Sequence, residues 1–425
     1  MKRRWIAGVA VLGLVGLAAA AVAWLNLRDE APLTDTAPLG ATTAQVQRGA
    51  YLALAGNCAG CHTARGGTAY AGGRGIETPF GTVYAGNLTP DPDTGLGRWT
   101  PAHFWRALHN GRSFDGRLLY PAFPYPHFTR ITREDSDALY AYLRSLSPVA
   151  QAPRPHALRF PYDSQLALAV WRALFFTPTA QQPEAGRSAE WNRGSYLVRG
   201  LGHCSACHAS RNLLGAQSDE QQLGGATIPM QDWYAPALNA AAEAGVAGWD
   251  LQQVVQLLKT GTAPRGSVLG PMADVVFRST QHLQESDLRA MAVYLQSLPQ
   301  APVPAKPASG PASSAASAAV ALNTRGQKLY DRRCADCHGA DGRGVPGAYP
   351  PLAGNRAVTM ASTANLVLVV INGGFPPATA GNPRPYGMPP FGHELSAAEV
   401  ADVLSYIRAA WGNEARPVTA LEVLQ

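Results

Sequence analysis

The chain has six cysteines, and they fall into three pairs, each followed at once by a histidine. These are "CAGCH" (Cys58, Cys61, His62), "CSACH" (Cys204, Cys207, His208) and "CADCH" (Cys334, Cys337, His338). The C-x-x-C-H spacing is the attachment signature of c-type haem. Each thiol can add across a porphyrin vinyl group to give a thioether, and the histidine then lies under the ring with a nitrogen for the iron. Residues three and four apart share one face of a helical turn, so both sulfurs and the imidazole point at the same plate. A chance occurrence at this composition is expected on the order of 0.002 times per chain. Three occurrences that use every cysteine therefore read as three haem c groups. A redox dithiol needs no following histidine. A zinc site needs ligands that cluster, and these motifs lie more than a hundred residues apart.

Haem iron in such a setting takes a second ligand from a loop about 50–65 residues beyond the first, commonly a methionine sulfur. Met272, in "VLGPMADVV", lies 64 residues after His208, and Met388, in "RPYGMPPFGHELS", lies 50 after His338. Both are predicted axial ligands. Met230, Met291 and Met360 sit elsewhere in the pattern and read as packing residues. No methionine follows His62 at that distance. Phe123, in "LLYPAFPYPHF", takes the place 61 residues on, and phenylalanine cannot bind iron. The nearest donor is His127 on the same loop. His103, His109 and His156, a five-coordinate or water-bound iron, and a methionine from elsewhere are the alternatives.

The elements that must hold these groups repeat along the chain. "QRGAYLALAGNCAGCH", "NRGSYLVRGLGHCSACH" and "TRGQKLYDRRCADCH" each place Arg-Gly some ten residues ahead of the first cysteine: Arg48-Gly49, Arg193-Gly194 and Arg325-Gly326. Glycine early in a helix is costly by itself, which implies close helix packing there. Three amphipathic segments close the repeats: 132–146, 283–298 and 395–411, with Tyr142, Tyr294 and Tyr406 at matching places. In the last, Ser396 and Glu399 spell a capping box. Small class I cytochromes c cross their first and last helices at such glycine and aromatic contacts. The expected fold is therefore all-α: three tandem class I cytochrome c-like domains at 43–150, 188–300 and 321–415. A connector fills 151–187, and a Pro/Ala/Ser linker fills 301–320.

The N-terminus carries Lys2, Arg3 and Arg4 before an apolar run from Trp5 to about Leu25. That run can cross a bilayer as a helix, and a signal-peptide core is usually shorter. Residues 1–28 are read as a membrane anchor in preference to a cleaved signal, although "AVAW" at Ala21–Trp24 could be cut. The positive-inside rule keeps the basic end in the cytoplasm and exports the rest. In the connector, "LALAVWRALFF" at 166–176 is too short to span and is interrupted by Arg172. A buried helix is its simpler reading, and a partner-docking or membrane-surface segment the other. The formal net charge of +6 omits the propionates, which add roughly −6 for three haems. No basic run is interleaved with aromatics, so nucleic acid is not expected as a partner.

With these residues the chain resembles the cytochrome c subunits of membrane-bound bacterial alcohol, gluconate, fructose and aldehyde dehydrogenases. The matching stretches include "FGTVYAGNLTPDPDTGLGRWT", "WNRGSYLVRGLGHCSACHASRNLLG", "DWYAPALN" and "CHGADGRGVPGAYPPLAGN". The resemblance covers nearly all of the exported chain. It implies a place on the periplasmic side of the bacterial inner membrane. It also implies a catalytic dehydrogenase partner of flavin, quinoprotein or molybdenum type, and delivery of electrons to ubiquinone or a terminal oxidase chain. By it, Met272 and Met388 stand opposite His208 and His338. Many relatives read "YPAMPY" where this chain has "YPAFPY". That variant resembles a branch associated with molybdenum-containing aldehyde or N-heterocycle dehydrogenases.

An electron-transfer subunit with no substrate site of its own is the leading functional expectation. "GADGRG" directly follows a motif histidine and does not open a long helix after a strand, so it is no dinucleotide fingerprint. A free-standing tethered carrier is the second reading. An enzyme using an open first iron, of peroxidase or nitrite-reductase type, is the third.

Overall fold

The structure, a computed structural model, describes residues 2–33, 40–217, 223–301 and 324–424. The expected linker, beyond residue 301, lies outside the described residues. The chain forms two compact units. One comprises residues 1–183 with 199–203 and 212–217; the other comprises 184–198, 204–211 and 218–425.

The first unit begins with one long helix, Lys2–Leu27, with a mean hydropathy of 2.5 over its most apolar window. The run from Trp5 to Leu25 alone rises about 31 Å at 1.5 Å per residue, which matches a hydrocarbon core of about 30 Å. Its polar end is tied into the connector. Asn26 Nδ2 donates to Ala169 O at 2.9 Å, and Arg28 Nη2 donates to Phe176 O at 2.8 Å.

One helix crossing then occurs three times. Thr43–Ala55 packs on Arg133–Ser145 in the first unit. In the second unit Ala189–Tyr196 packs on Glu285–Gln296, and helix 324–333 packs on Ala397–Ala409. A Cβ on Gly49, Gly194 or Gly326 would lie 1.9, 1.9 or 2.2 Å from the carbonyl oxygen of Ala138, Ala290 or Asp402. The Cβ atoms of Tyr142, Tyr294 and Tyr406 stand beside the same three glycines. Only a residue without a side chain permits this approach. Each preceding arginine pairs with an aspartate of the closing helix: Arg48 with Asp135 at 2.5 Å, Arg193 with Asp287 at 2.7 Å and Arg325 with Asp402 at 2.9 Å. The ion pairs pin the same end of each crossing that the glycine brings together. Ser396 and Glu399 form the reciprocal capping box expected from the sequence.

The all-α expectation omitted three small antiparallel ladders found among the described residues. Gly75–Thr78 pairs with Gly81–Tyr84, which pairs with Ala157–Leu158; Ala226–Thr227 pairs with Tyr234–Ala235; and Thr262–Ala263 pairs with Gly266–Ser267. The first is rich in β-branched residues, which suit a pleated surface. Its turn ends on Gly81, where φ is +121° and a Cβ would strike Ala157 O. The helix in the connector, Gln165–Phe175, starts at Ser164, whose Oγ accepts from Ala167 N at 3.0 Å. The buried-helix reading holds for one face only: Leu168 and Arg172 are buried, and Leu166, Val170 and Leu174 are exposed.

Candidate functional site

Each C-x-x-C-H segment follows its opening helix through a sharp turn. At the first, Asn57 adopts a left-handed conformation (φ +48°) and releases Cys58–His62 into a new helical turn. Asparagine tolerates that region better than most residues. Cys204 and Cys334 stand at the N-cap positions of the turns Ser205–His208 and Ala335–His338.

The three motif histidines share one hydrogen-bond arrangement. His62 Nδ1 lies 2.7 Å from Gly86 O, His208 Nδ1 lies 2.7 Å from Pro236 O, and His338 Nδ1 lies 3.0 Å from Pro350 O. A carbonyl only accepts, so Nδ1 carries the proton and Nε2 keeps its lone pair. That is the tautomer and orientation a metal-ligating imidazole needs. Burial also holds all three imidazoles below the ordinary histidine pKa, which favours the neutral form. The leading thiols are shifted the other way. Burial, with the partner cysteine, pushes Cys58 and Cys204 up to about 12 and Cys334 to about 11. Reactive dithiols sit in electropositive sites that lower the thiol pKa, the opposite direction to these three thiols. None of the six cysteines is in a disulfide.

Cys334, Cys337, His338 and Met388 line one cleft of about 950 Å³. That is the upper part of the range for cofactor sites, about 300–1,000 Å³. Its walls are largely apolar, with Leu352, Val403 and Leu404 among them. Met388 is held by a two-way backbone bridge: its N–H donates to Gly374 O at 2.7 Å, and its carbonyl accepts from Gly374 N at 3.0 Å. A flat apolar ring with sulfur attachment on one edge fits this cleft. Trp233 and the segment Val268–Gly270 line the same cleft. Met272 follows directly, half-buried in the first turn of Pro271–Arg278. Gly270 (φ +49°) permits that placement, since a Cβ there would strike the Trp233 indole. Met291 and Met360 are buried packing residues, as expected; Met230 is exposed instead, on a turn with φ +64°.

At the first motif, Phe123 joins an aromatic cluster, 5.5 Å from Phe128 and 6.4 Å from Tyr125 between ring centroids. His127 lies in the short helix Tyr125–Phe128 and is half-buried. Two alternative donors are committed elsewhere. His103 Nδ1 accepts from Thr100 N at 3.3 Å within a helix cap, and His156 Nδ1 accepts from Tyr84 N at 3.1 Å. In a neutral ring this puts the proton on Nε2. His109 is buried, stacked 4.4 Å from Trp105, with Nδ1 2.8 Å from Thr129 O.

A cytochrome c family model matches residues 46–147 and 324–411. The cytochrome c subunit of a quinone-dependent alcohol dehydrogenase from Gluconacetobacter polyoxogenes is 41% identical over 397 residues, covering 90% of this chain and 84% of that one. The chain belongs to the cytochrome c subunits of membrane-bound dehydrogenases. This cytochrome c subunit is also 38% identical to the gluconate 2-dehydrogenase cytochrome c subunit of Pantoea cypripedii, over 90% of this chain and 89% of that one. It is 42% identical to a nicotinate dehydrogenase subunit from Pseudomonas putida over 93% of its own length, but spans 32% of that relative. Its cofactor is haem c and its role is electron transfer; the catalytic site belongs to another subunit.

Sequence reasoning about this cytochrome c subunit passed over His203. Its imidazole N–H donates to the Gly56 carbonyl, two residues before Cys58, and its ring lies 5.5 Å from Phe128. Burial lowers its pKa, so it is a neutral polar group at the first attachment segment. The only signal available was its position directly before Cys204.

Proposed function

We propose that this subunit carries three haem c groups and passes electrons from a catalytic dehydrogenase subunit to ubiquinone or a terminal oxidase chain. It does so from the periplasmic face of the bacterial inner membrane. Bound haem supplies one-electron chemistry at iron. The chain's own residues attach the ring, set the ligand tautomer and exclude water. The pairs Cys58/Cys61, Cys204/Cys207 and Cys334/Cys337 would form the thioethers, and His62, His208 and His338 would each offer Nε2 to the iron. Met272 and Met388 would offer their sulfurs to the second and third irons. His127, on the same loop as Phe123, would be the sixth ligand of the first iron. The observation that carries this reading is the common fixing of all three Nδ1 protons on backbone carbonyls. The threefold Gly–Tyr and Arg–Asp crossing supports three cytochrome c-like copies, at 43–150, 188–300 and 321–415.

The N-terminal helix is the anchor, by its length and apolarity. The relatives named for alcohol, gluconate and nicotinate dehydrogenases support a division of labour in which the partner subunit sets the substrate. That partner is of flavin, quinoprotein or molybdenum type. Intact mass and alkaline pyridine haemochrome spectra of the purified protein test the core of the proposal. Three covalent haems per polypeptide are expected, and two would overturn it. The solubilised protein is expected to co-purify with a large dehydrogenase subunit; running alone would favour the free-standing carrier.

A further inference from the structure

The connector helix Gln165–Phe175 is inside out for a helix facing water. Its charged residue, Arg172, is only 3% exposed. The guanidinium donates to Asn26 Oδ1 at 2.9 Å, Asn110 O at 2.7 Å and Gly111 O at 3.3 Å, and it packs on the Tyr125 and Phe176 rings. Leu168, four residues earlier, is buried on the same face. On the opposite face Leu166, Val170 and Leu174 follow at i, i+4 and i+8, and are 73%, 41% and 66% exposed. At 100° per residue these three fall within one narrow stripe, and Arg172 lies about 160° around from Val170. A surface helix in water shows the reverse pattern. A contiguous apolar stripe of this kind marks a surface that contacts something other than water.

The position of this helix identifies the contact. Ala169 O and Phe176 O, on the helix and at its C-cap, accept hydrogen bonds from Asn26 and Arg28, where the N-terminal apolar helix ends. The connector helix is thus fixed where the anchor leaves the bilayer. The patch continues onto a neighbouring turn: Trp171 Nε1 donates to Leu214 O at 2.8 Å, and the adjacent Leu213 is 97% exposed.

We propose that Gln165–Phe175 lies in the interfacial layer of the membrane, with Leu166, Val170 and Leu174 in the acyl region. Arg172, on the face away from the lipid, locks the helix to the anchor. The proposal rests on the anchor reading of Lys2–Leu27 and adds a second membrane contact to it. Helices of this type bury one apolar face to a shallow depth.

The test uses the full-length holoprotein in phosphatidylcholine/phosphatidylglycerol vesicles that contain a diazirine-bearing acyl chain. After irradiation, lipid adducts are mapped by peptide mass spectrometry. Adducts are expected on the N-terminal helix and on residues 165–176. In Leu166→Ser/Val170→Ser/Leu174→Ser the adducts at 165–176 should fall at least tenfold, with N-terminal adducts and haem spectra unchanged. Adducts on the N-terminal helix with none at 165–176 in the wild type would overturn the proposal and leave the anchor standing. Adducts at 165–176 alone would overturn the anchor reading, and adducts at neither would overturn both. An unlabelled stripe that becomes protected from hydrogen exchange only with the dehydrogenase subunit bound would assign it to the partner, again overturning the proposal.

Discussion

A Cβ built on Gly194 would stand 1.9 Å from the carbonyl oxygen of Ala290, so the second helix crossing brings backbone against backbone. Gly194→Ala must push the two helices apart or distort both. Overpacking of this kind costs about 1–3 kcal/mol, and thermal unfolding of the holoprotein should show the loss. Gly248→Ala is the control. Nothing lies within 4 Å of its added carbon, and its effect should stay within about 0.5 kcal/mol.

On the proposed ligand set, Met388→His retains a sixth ligand for the third iron but replaces a thioether with an imidazole. Thioether ligation raises haem potential. The substitution should lower one midpoint potential by on the order of 0.1 V or more, within the roughly 0.8 V that axial ligands command. Optical redox titration should show the other two potentials in place. Three unmoved potentials would remove Met388 from the ligand set.

On the proposed ligand set of three haems, His127→Ala should alter the spectrum of one haem and leave two as they were. Low-temperature electron paramagnetic resonance is the readout: one low-spin signal is lost and a high-spin signal takes its place. An unchanged spectrum would shift attention to His109, whose Nδ1 proton lies on the Thr129 carbonyl.

Glu422 offers a pH test away from the irons. Its carboxylate accepts from Arg416 at 2.7 Å and from Thr363 Oγ1 at 2.8 Å, with Thr419 beside it. The Arg416 contact is the main reason its pKa falls far below the ordinary carboxylate value of 4.5. A depressed carboxylate stabilises the fold above its unfolded pKa, and the gain is lost as pH falls toward the folded value. Glu422→Gln should therefore cost about 1 kcal/mol or less near pH 7, since the pair is partly solvated. The gap from wild type should narrow steadily below pH 4.5. A gap that widens in acid would contradict the assignment.

The sequence was most legible where a local rule had a single physical meaning. Glycine at 49, 194 and 326 could only signal close approach, and Ser396 with Glu399 could only signal a cap. The aspartates that meet Arg48, Arg193 and Arg325 lie 87, 94 and 77 residues away, beyond any local pattern. His203 belonged to no motif, so its contact with Gly56 was invisible until the chain was folded. For residues 166–176, the sequence showed a short apolar run interrupted by Arg172 but not which face looked outward. Burial of Arg172 decided that, through carbonyls at Asn110 and Gly111 some sixty positions upstream.

The cleft around Cys334 and His338 borrows Trp233 and Val268–Gly270 for part of its wall. The C-terminal segment is therefore not a portable cassette. Cut free at residue 324, it would present an oily trench to solvent, vulnerable to aggregation and to proteases.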